Sequence, residues 1–541
     1  MLRRALLLGH TLRHLRPWQV GGRLVARLRR YAGLTRLPDV PAVLSGRLRA
    51  HVAFPRHEPW NTAEGVRAGQ FRFLNADAVL GRPVDWVAGS MPLLWQFNLH
   101  YFHYLHLLGA GEQETICREW VERNPPGSGV GWHPYPTSLR IVNWCRADLR
   151  ATDLQASLYR QAAHLYRNLE TYVYGNHLME NARALVYAGT FFGGQGEAPA
   201  WLAKGLVLYR RETREQILPD GSHYERSPMY HALMLEGYLD VLNLLPRDHP
   251  ERSSLEATVQ RMAAALVTTT HPDGHPALFN DATHEIAPSP AQLVAYARAL
   301  TSAGFEPLDR LPDSGYFVHR AADLYLIVDG GAAGPEHLMA HAHADVFSFE
   351  LSLGGRQFVV DTGVYEYADG PMRRMVRSTR AHNTVCVDDT DQIECWGSFR
   401  VARRTAPKDV SFERAPGRSV FKGTFDGYAR RIGDGIVHTR RIDCDESRRE
   451  IRVVDEVCGR GRHRVESRLH LHPDVLVAGD EAGEIVLRRD GVTCRLRVEA
   501  AAHRWEEGVY CPCFGVRKPN RVLVIGGEAE LPLTLSFSLH Y

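Results

Sequence analysis

Residues 341–363 read His341-Ala-His343-Ala-Asp345-Val-Phe-Ser-Phe-Glu-Leu-Ser-Leu-Gly-Gly-Arg-Gln-Phe-Val-Val-Asp361-Thr-Gly363. Phe347, Phe349, Leu351 and Leu353 alternate with Ser348, Glu350 and Ser352, the period-two pattern of a half-buried strand. Gly354-Gly355 breaks the pattern and Gln357 to Val360 resumes it, which predicts a hairpin whose two turn residues adopt positive φ. His341, His343 and Asp361 then lie toward the open end of one hairpin. Arg380-Ala-His382-Asn383-Thr384-Val385 opens another strand-like run, which adds a third imidazole if it joins the same sheet. Two imidazoles and a carboxylate suit a divalent metal such as zinc. Their spacing alone fits polar residues satisfied at a sheet edge equally well.

Around this stretch the chain divides in two. Before it, apolar stripes of helical period cover 111–124, 137–150, 154–174, 176–193, 201–217, 228–245, 252–270 and 290–304, with a further helical run from Trp95 to Leu108. Short Pro/Gly connections join them, as in serial helical hairpins that close into a ring or stack into a solenoid. After Gly315 the texture becomes that of strands, at 324–328, 384–387, 451–454, 465–471, 484–487, 492–498 and 531–537. A run of helices followed by a run of strands indicates separate domains, the second an antiparallel sandwich. The expected division is a basic arm over 1–60, a helical domain over 61–314 and a sheet domain over 315–541.

A chain of 541 residues is too long for one ordinary core. Its 65 basic and 62 acidic residues nearly cancel, so no general affinity for nucleic acid or for membranes follows. Only four of the basic residues are lysines; most of the arginine excess is read as genome composition, with bidentate contacts to carboxylate or sulfate groups as the second reading. Met1 to His10 starts like a signal peptide, but its apolar run is too short. Residues 11–30 continue basic and amphipathic, compatible with a membrane surface but more simply read as an arm packed on the protein itself. No transmembrane segment is expected. A cytoplasmic chain is the first expectation, with a membrane-peripheral or periplasmic one behind it, and a homo-oligomer stays open.

The helical half carries its own polar constellations. In Gly175-Asn176-His177-Leu-Met-Glu180-Asn181, residues 176, 177, 180 and 181 stand three or four apart and share a helix face. In Asp220-Gly221-Ser-His223-Tyr224-Glu225-Arg226-Ser227-Pro228-Met-Tyr230-His231, Ser227 suits an N-cap and Pro228 the first helical position, so Tyr230 falls in the first turn. The amide dipoles there favour a phenolate, though bringing a tyrosine to neutrality asks about 4 kcal/mol and a helix end supplies about 0.3–1. Neighbouring His or Arg would have to supply the rest. In Gly131-Trp132 to Trp144, Trp132 offers a face for stacking on a sugar ring and Arg140 a fork for a carboxylate.

From Trp95 to Arg404 these motifs, in this order, together with Trp396-Gly-Ser-Phe399-Arg400, resemble the heparinase II/III-like polysaccharide lyases. The resemblance implies an incomplete (α/α) toroid followed by an antiparallel β-sandwich. It implies β-elimination on an acidic, uronic-acid-containing polysaccharide, with no nucleic-acid partner. Asn176 and His177 would neutralise the substrate carboxylate, Tyr230 and His341 would move protons, and Glu180, Trp132 and Arg140 would bind the chain. His343, Asp361 and His382 would hold a structural divalent metal, zinc by analogy. Two rivals stand beside it. A glycoside hydrolase would need two carboxylates about 5–10 Å apart, drawn from Glu180, Glu225 and Asp220. A non-catalytic glycan-binding protein of exopolysaccharide assembly would need neither.

Overall fold

The computed structural model describes residues 2–31, 39–57, 59–302, 304–481, 484–499 and 501–541. Residues 32–38 of the expected basic arm lie outside the described residues.

The helical half is built from amphipathic helices whose apolar faces meet in one large core including Trp95, Trp120, Trp144, Leu185, Trp201 and Leu239. Its main helices are Ala110–Arg123, Pro134–Arg146, Thr152–Arg167, Gly175–Phe192, Ala198–Gln216, Pro228–Leu244, Arg252–Thr268 and Pro290–Leu300. The stripe expected over 154–174 stops early, because the helix ends at Arg167 and Asn168 takes the C-cap. The run from Trp95 to Leu108 is broken at Phe102, whose φ of 61° ends one helix and starts a 3-10 turn. This is the incomplete toroid that the motif order implied.

The sheet half is antiparallel throughout its named strands. Five short strands, from Arg310–Leu311 to Arg356–Val359, pair in chain order. Behind them an eight-stranded sheet runs from Lys408–Ala415 to Leu476–Glu481, and a four-stranded sheet carries Val385–Val387 at one edge. Their inner faces share a core that includes Phe347, Phe349, Leu351, Phe421, Ile442, Val453 and Phe537. Gly354 and Gly355 turn the hairpin with φ of 54° and 76°, and Leu353 faces Arg356 across it.

One expectation for this hairpin needs correcting. The strand Phe349–Leu353 is buried on both faces rather than one. Glu350 accepts the backbone N–H of Leu278 at 2.6 Å and faces His271 Nε2 at 2.8 Å, while Ser352 meets His271 Nδ1 at 2.7 Å. The polar side of the strand is thus a docking face for the segment between helices Arg252–Thr268 and Pro290–Leu300, and its polar groups are satisfied there, as burial requires.

Two small clusters complete the junction. Ala265, Ala277 and Phe279 pack on Tyr316, Val318, Tyr325 and Ile327. Met229, Tyr230, Leu278 and Ala282 pack on Val360 and Tyr510. Loop residues 271–283, between the two, are therefore fixed against the sheet, and they carry Asp281 into the site.

Candidate active site

Tyr230 sits in the first turn of helix Pro228–Leu244, with its backbone N–H on the Ser227 hydroxyl at 3.4 Å. Its ring lies against the imidazole of His341, centroids 4.0 Å apart, and its hydroxyl meets that of Tyr367 at 3.1 Å. The expected phenolate is not what this setting favours. Burial pushes the Tyr230 hydroxyl well above the ordinary value, and Tyr367, Asp281 and Glu225 push the same way, outweighing the helix end. Tyr230 is a neutral phenol, suited to giving a proton.

His341 is held from the opposite side. Its Nδ1 faces Asp281 Oδ2 at 2.9 Å, and its Nε2 lies 3.4 Å from Glu225 Oε2. Asp281 is completely buried and forked by Arg373, one arm at 2.7 Å, and it also meets His343 Nε2 at 2.8 Å. Burial alone would raise the Asp281 carboxyl, but Arg373, His341 and His343 hold it well below the usual range. An ionised Asp281 can only accept, so His341 Nδ1 donates to it, and the other ring nitrogen, Nε2, is the one beside the Glu225 carboxylate.

Asn176 opens helix Gly175–Phe192 and gives its backbone N–H, at 3.1 Å, and its amide, at 3.0 Å, to Glu225. Glu225 is buried, which raises it, yet His341, His223 and Asn176 bring it below the ordinary value. His177 is partly exposed at the rim, its ring tilted against Tyr135 with centroids 4.4 Å apart and its Nδ1 3.1 Å from Glu170. Burial pulls its imidazolium down, but Glu170, Glu225 and Glu180 raise it above the usual value. Phe399, 43% exposed, stands over the rim 5.1 Å from Tyr367 and 6.2 Å from His341, ring to ring.

Three expected substrate contacts lie behind the wall instead. Arg140 is completely buried, giving its fork to Gly131 O at 2.7 Å and Gln161 at 2.8 Å over the face of Trp120. Trp132 is buried against His164 and donates its indole N–H to Asn124 O at 3.1 Å. Glu180 is buried beside Arg183, which also meets Glu236 at 2.9 Å and Asp240 at 2.8 Å. All three brace the toroid. Asp220 is likewise spent, accepting Ser314 N at 2.7 Å and Ser222 N at 2.9 Å.

A second cluster lies behind His341. His343, Asp345 and His382, all buried, offer ligand atoms within 4.8 Å of one another. His343 Nδ1, Asp345 Oδ1 and His382 Nε2 have no partner, because the other ring nitrogens are taken by Asp281 and by Asp361, the latter at 2.8 Å. Two ring lone pairs and a carboxylate oxygen facing one another without a donor fit a cation. Asp361, expected among the ligands, instead orients the ring of His382 from behind, as carboxylates do for metal-binding histidines. Asp345 is the carboxylate that lies with the two imidazoles in that cluster. The cavity of about 380 Å³ lined by Phe317, Val410 and Phe412 shares no residue with either cluster.

Asp281, Glu225, Arg373 and Tyr367 received no role in the catalytic reading of the sequence. Glu225 stood there only as a hydrolase candidate. Asp281 follows Asn280 in a loop with no motif, and only the fold brings it to partners far along the chain.

The comparisons with known proteins cover both walls of this site. The family model Heparinase II/III N-terminus matches residues 133–300, and Heparinase II/III-like, C-terminal matches residues 304–538. A heparin-sulfate lyase of Pedobacter heparinus is 27% identical over 346 residues, 55% of this chain and 51% of that protein. FtsZ-localized protein C of Caulobacter vibrioides is 26% identical over 452 residues, 76% of this chain and 74% of that protein. The crystal structure of a heparinase III superposes with a TM-score of 0.67 at 18% identity, over 85% of this chain and 80% of that one. The chain spans about half the length of the heparin-sulfate lyase, 51% of it. With Asn176 and Tyr230 inside one matched region and His341, His343 and His382 inside the other, the chain belongs to the heparinase II/III-like family.

Proposed function

We propose that this chain is a polysaccharide lyase that cleaves a uronic-acid-containing polysaccharide, of glycosaminoglycan type, by β-elimination. The observation that carries the reading is the 4.0 Å ring contact, tilted by 32°, of a neutral Tyr230 with an Asp281-oriented His341, one from each half of the chain. His341 Nε2 takes the C5 proton of the uronic acid. The electron pair forms the C4–C5 double bond, the C4–O bond breaks, and the leaving oxygen takes the Tyr230 proton. The proton on His341 then returns to the adjacent phenolate, which restores both groups. Asn176 and the raised His177 imidazolium meet the substrate carboxylate, where enolate charge develops and donors are worth most. Glu225 fixes the Asn176 amide, whose Nδ2 reaches both of its oxygens, at 3.4 and 3.0 Å.

His343, Asp345 and His382 would hold zinc, with Asp361 orienting His382. Bound there, the ion would neutralise buried carboxylate charge and tie the hairpin to the His382 loop, and no step of the elimination passes through it.

Hydrolysis fits less well. Glu180 and Asp220, two of the three carboxylates it would use, are bound to Arg183 and to Ser222 and Ser314. Incubation with uronate polymers tests the proposal: ultraviolet absorbance of a 4,5-unsaturated end is expected from the native chain and not from Tyr230→Phe. Chain shortening without that absorbance would sink it.

A further inference from the structure

Eight of the sixteen large apolar side chains exposed among the described residues fall between residues 6 and 28. They belong to two helices, Leu2–Leu12 and Pro17–Tyr31. In the second helix Val20, Leu24 and Leu28, at steps of four, form one stripe with exposures of 52, 60 and 58%. Val25 flanks the stripe, and Leu6, Leu8 and Leu12 are exposed on the first helix.

The inner faces are already seated, which fixes the orientation. The Gln19 amide donates to His337 O at 3.0 Å and Trp396 Nε1 to Thr11 at 3.1 Å, while Trp18, itself half-exposed, reaches Thr171 with its Nε1 at 3.2 Å. Arg16 pairs with Glu215, and the helix approaches so closely at Gly22 that a Cβ there would lie 2.6 Å from Tyr172. Polar and small residues thus face the protein while leucine and valine face outward, the reverse of an ordinary surface helix.

The charge says what covers this face. Residues 1–38 hold nine arginines, no lysine and no acidic residue. A second copy packed about a two-fold axis would set arginines against arginines. An anionic bilayer offers negative headgroups to the arginines and acyl chains to the leucines. No helix among the described residues is long and apolar enough to cross a membrane. We infer that helices 2–12 and 17–31 are an interfacial anchor that lays this protein on an anionic membrane surface, with Val20, Leu24 and Leu28 inserted and arginines such as Arg4, Arg13 and Arg23 at the headgroups.

Co-sedimentation of the full chain with vesicles tests the inference independently of the lyase reading. Binding to phosphatidylcholine vesicles carrying about 30% phosphatidylglycerol is expected, at least about tenfold weaker binding to phosphatidylcholine alone, and release as salt approaches about 1 M. Val20→Ser/Leu24→Ser/Leu28→Ser should lower partitioning about tenfold or more at unchanged melting temperature. The inference is overturned if the native chain ignores anionic vesicles, or if the triple variant binds as the native chain does. It is overturned too if the native chain sediments as a dimer that the triple variant dissolves, since a second copy then covers the face.

Discussion

Asp281 Oδ2 lies 2.9 Å from His341 Nδ1 while its other oxygen lies 2.8 Å from His343 Nε2. One buried carboxylate therefore sets the tautomer of the residue proposed as base and of a residue in the cation cluster. Asp281→Asn should cut turnover by about 10²–10⁴, with little change in KM, because the amide no longer dictates which His341 nitrogen is bare. It also leaves Arg373 buried without its counter-charge, which costs about 3–5 kcal/mol of stability. Turnover near the native rate would remove Asp281 from the mechanism.

Tyr230→Phe separates chemistry from packing. The hydroxyl's structural contribution is its bond to Tyr367, worth about 0.5–1.5 kcal/mol. Stability measured by denaturant should change by about that much, while elimination falls at least about 10²-fold. Comparable losses of activity and fold would mean that Tyr230 is only a packing residue.

The rim should show its own pH dependence. Glu170 and its acidic neighbours raise His177 in spite of burial, so its charged form is favoured by the fold. For a raised group the contribution is complete below the ordinary value of 6.5 and is lost as pH climbs through the higher folded value. KM for an acidic substrate should rise over that alkaline window with kcat nearly flat. Glu170→Gln should move the rise to lower pH, and an unmoved profile would take His177 out of carboxylate binding.

Removing the ion should be visible without any substrate. Dialysis against a chelator should lower the melting temperature by several degrees and zinc should restore it. Asp345→Asn and His382→Ala should start lower and respond to neither. A purified protein free of metal, with a melting temperature indifferent to zinc, would contradict the assignment.

Phe399 is the exposed aromatic nearest the acid–base pair. Phe399→Ala should raise KM about tenfold through lost sugar stacking, with kcat held, as steady-state kinetics would report.

Much of this was legible from local physics. Gly354-Gly355 could only be a tight turn, Ser227-Pro228 could only start a helix, and the helical periods closely match the observed helices because amphipathic faces are written every three or four residues. What failed depends on tertiary neighbours. Arg140 and Trp132 look like groove residues by type, but completing the buried packing around Gly131 used both. Glu350 and Ser352 look solvent-facing by alternation, yet His271 from the other half covers them. Asp281 carries no local signal of its importance, because its partners lie on other segments. Strands such as Lys408–Ala415, whose alternate positions are polar and exposed, lack the apolar run that marks a buried strand.

The most direct measurement follows product ends during digestion of a uronate polymer, comparing the native chain with Tyr230→Phe and His341→Ala. The account predicts one 4,5-unsaturated end for every bond broken by the native chain and none from either variant. New ends without unsaturation, or cleavage that survives both substitutions, would contradict it.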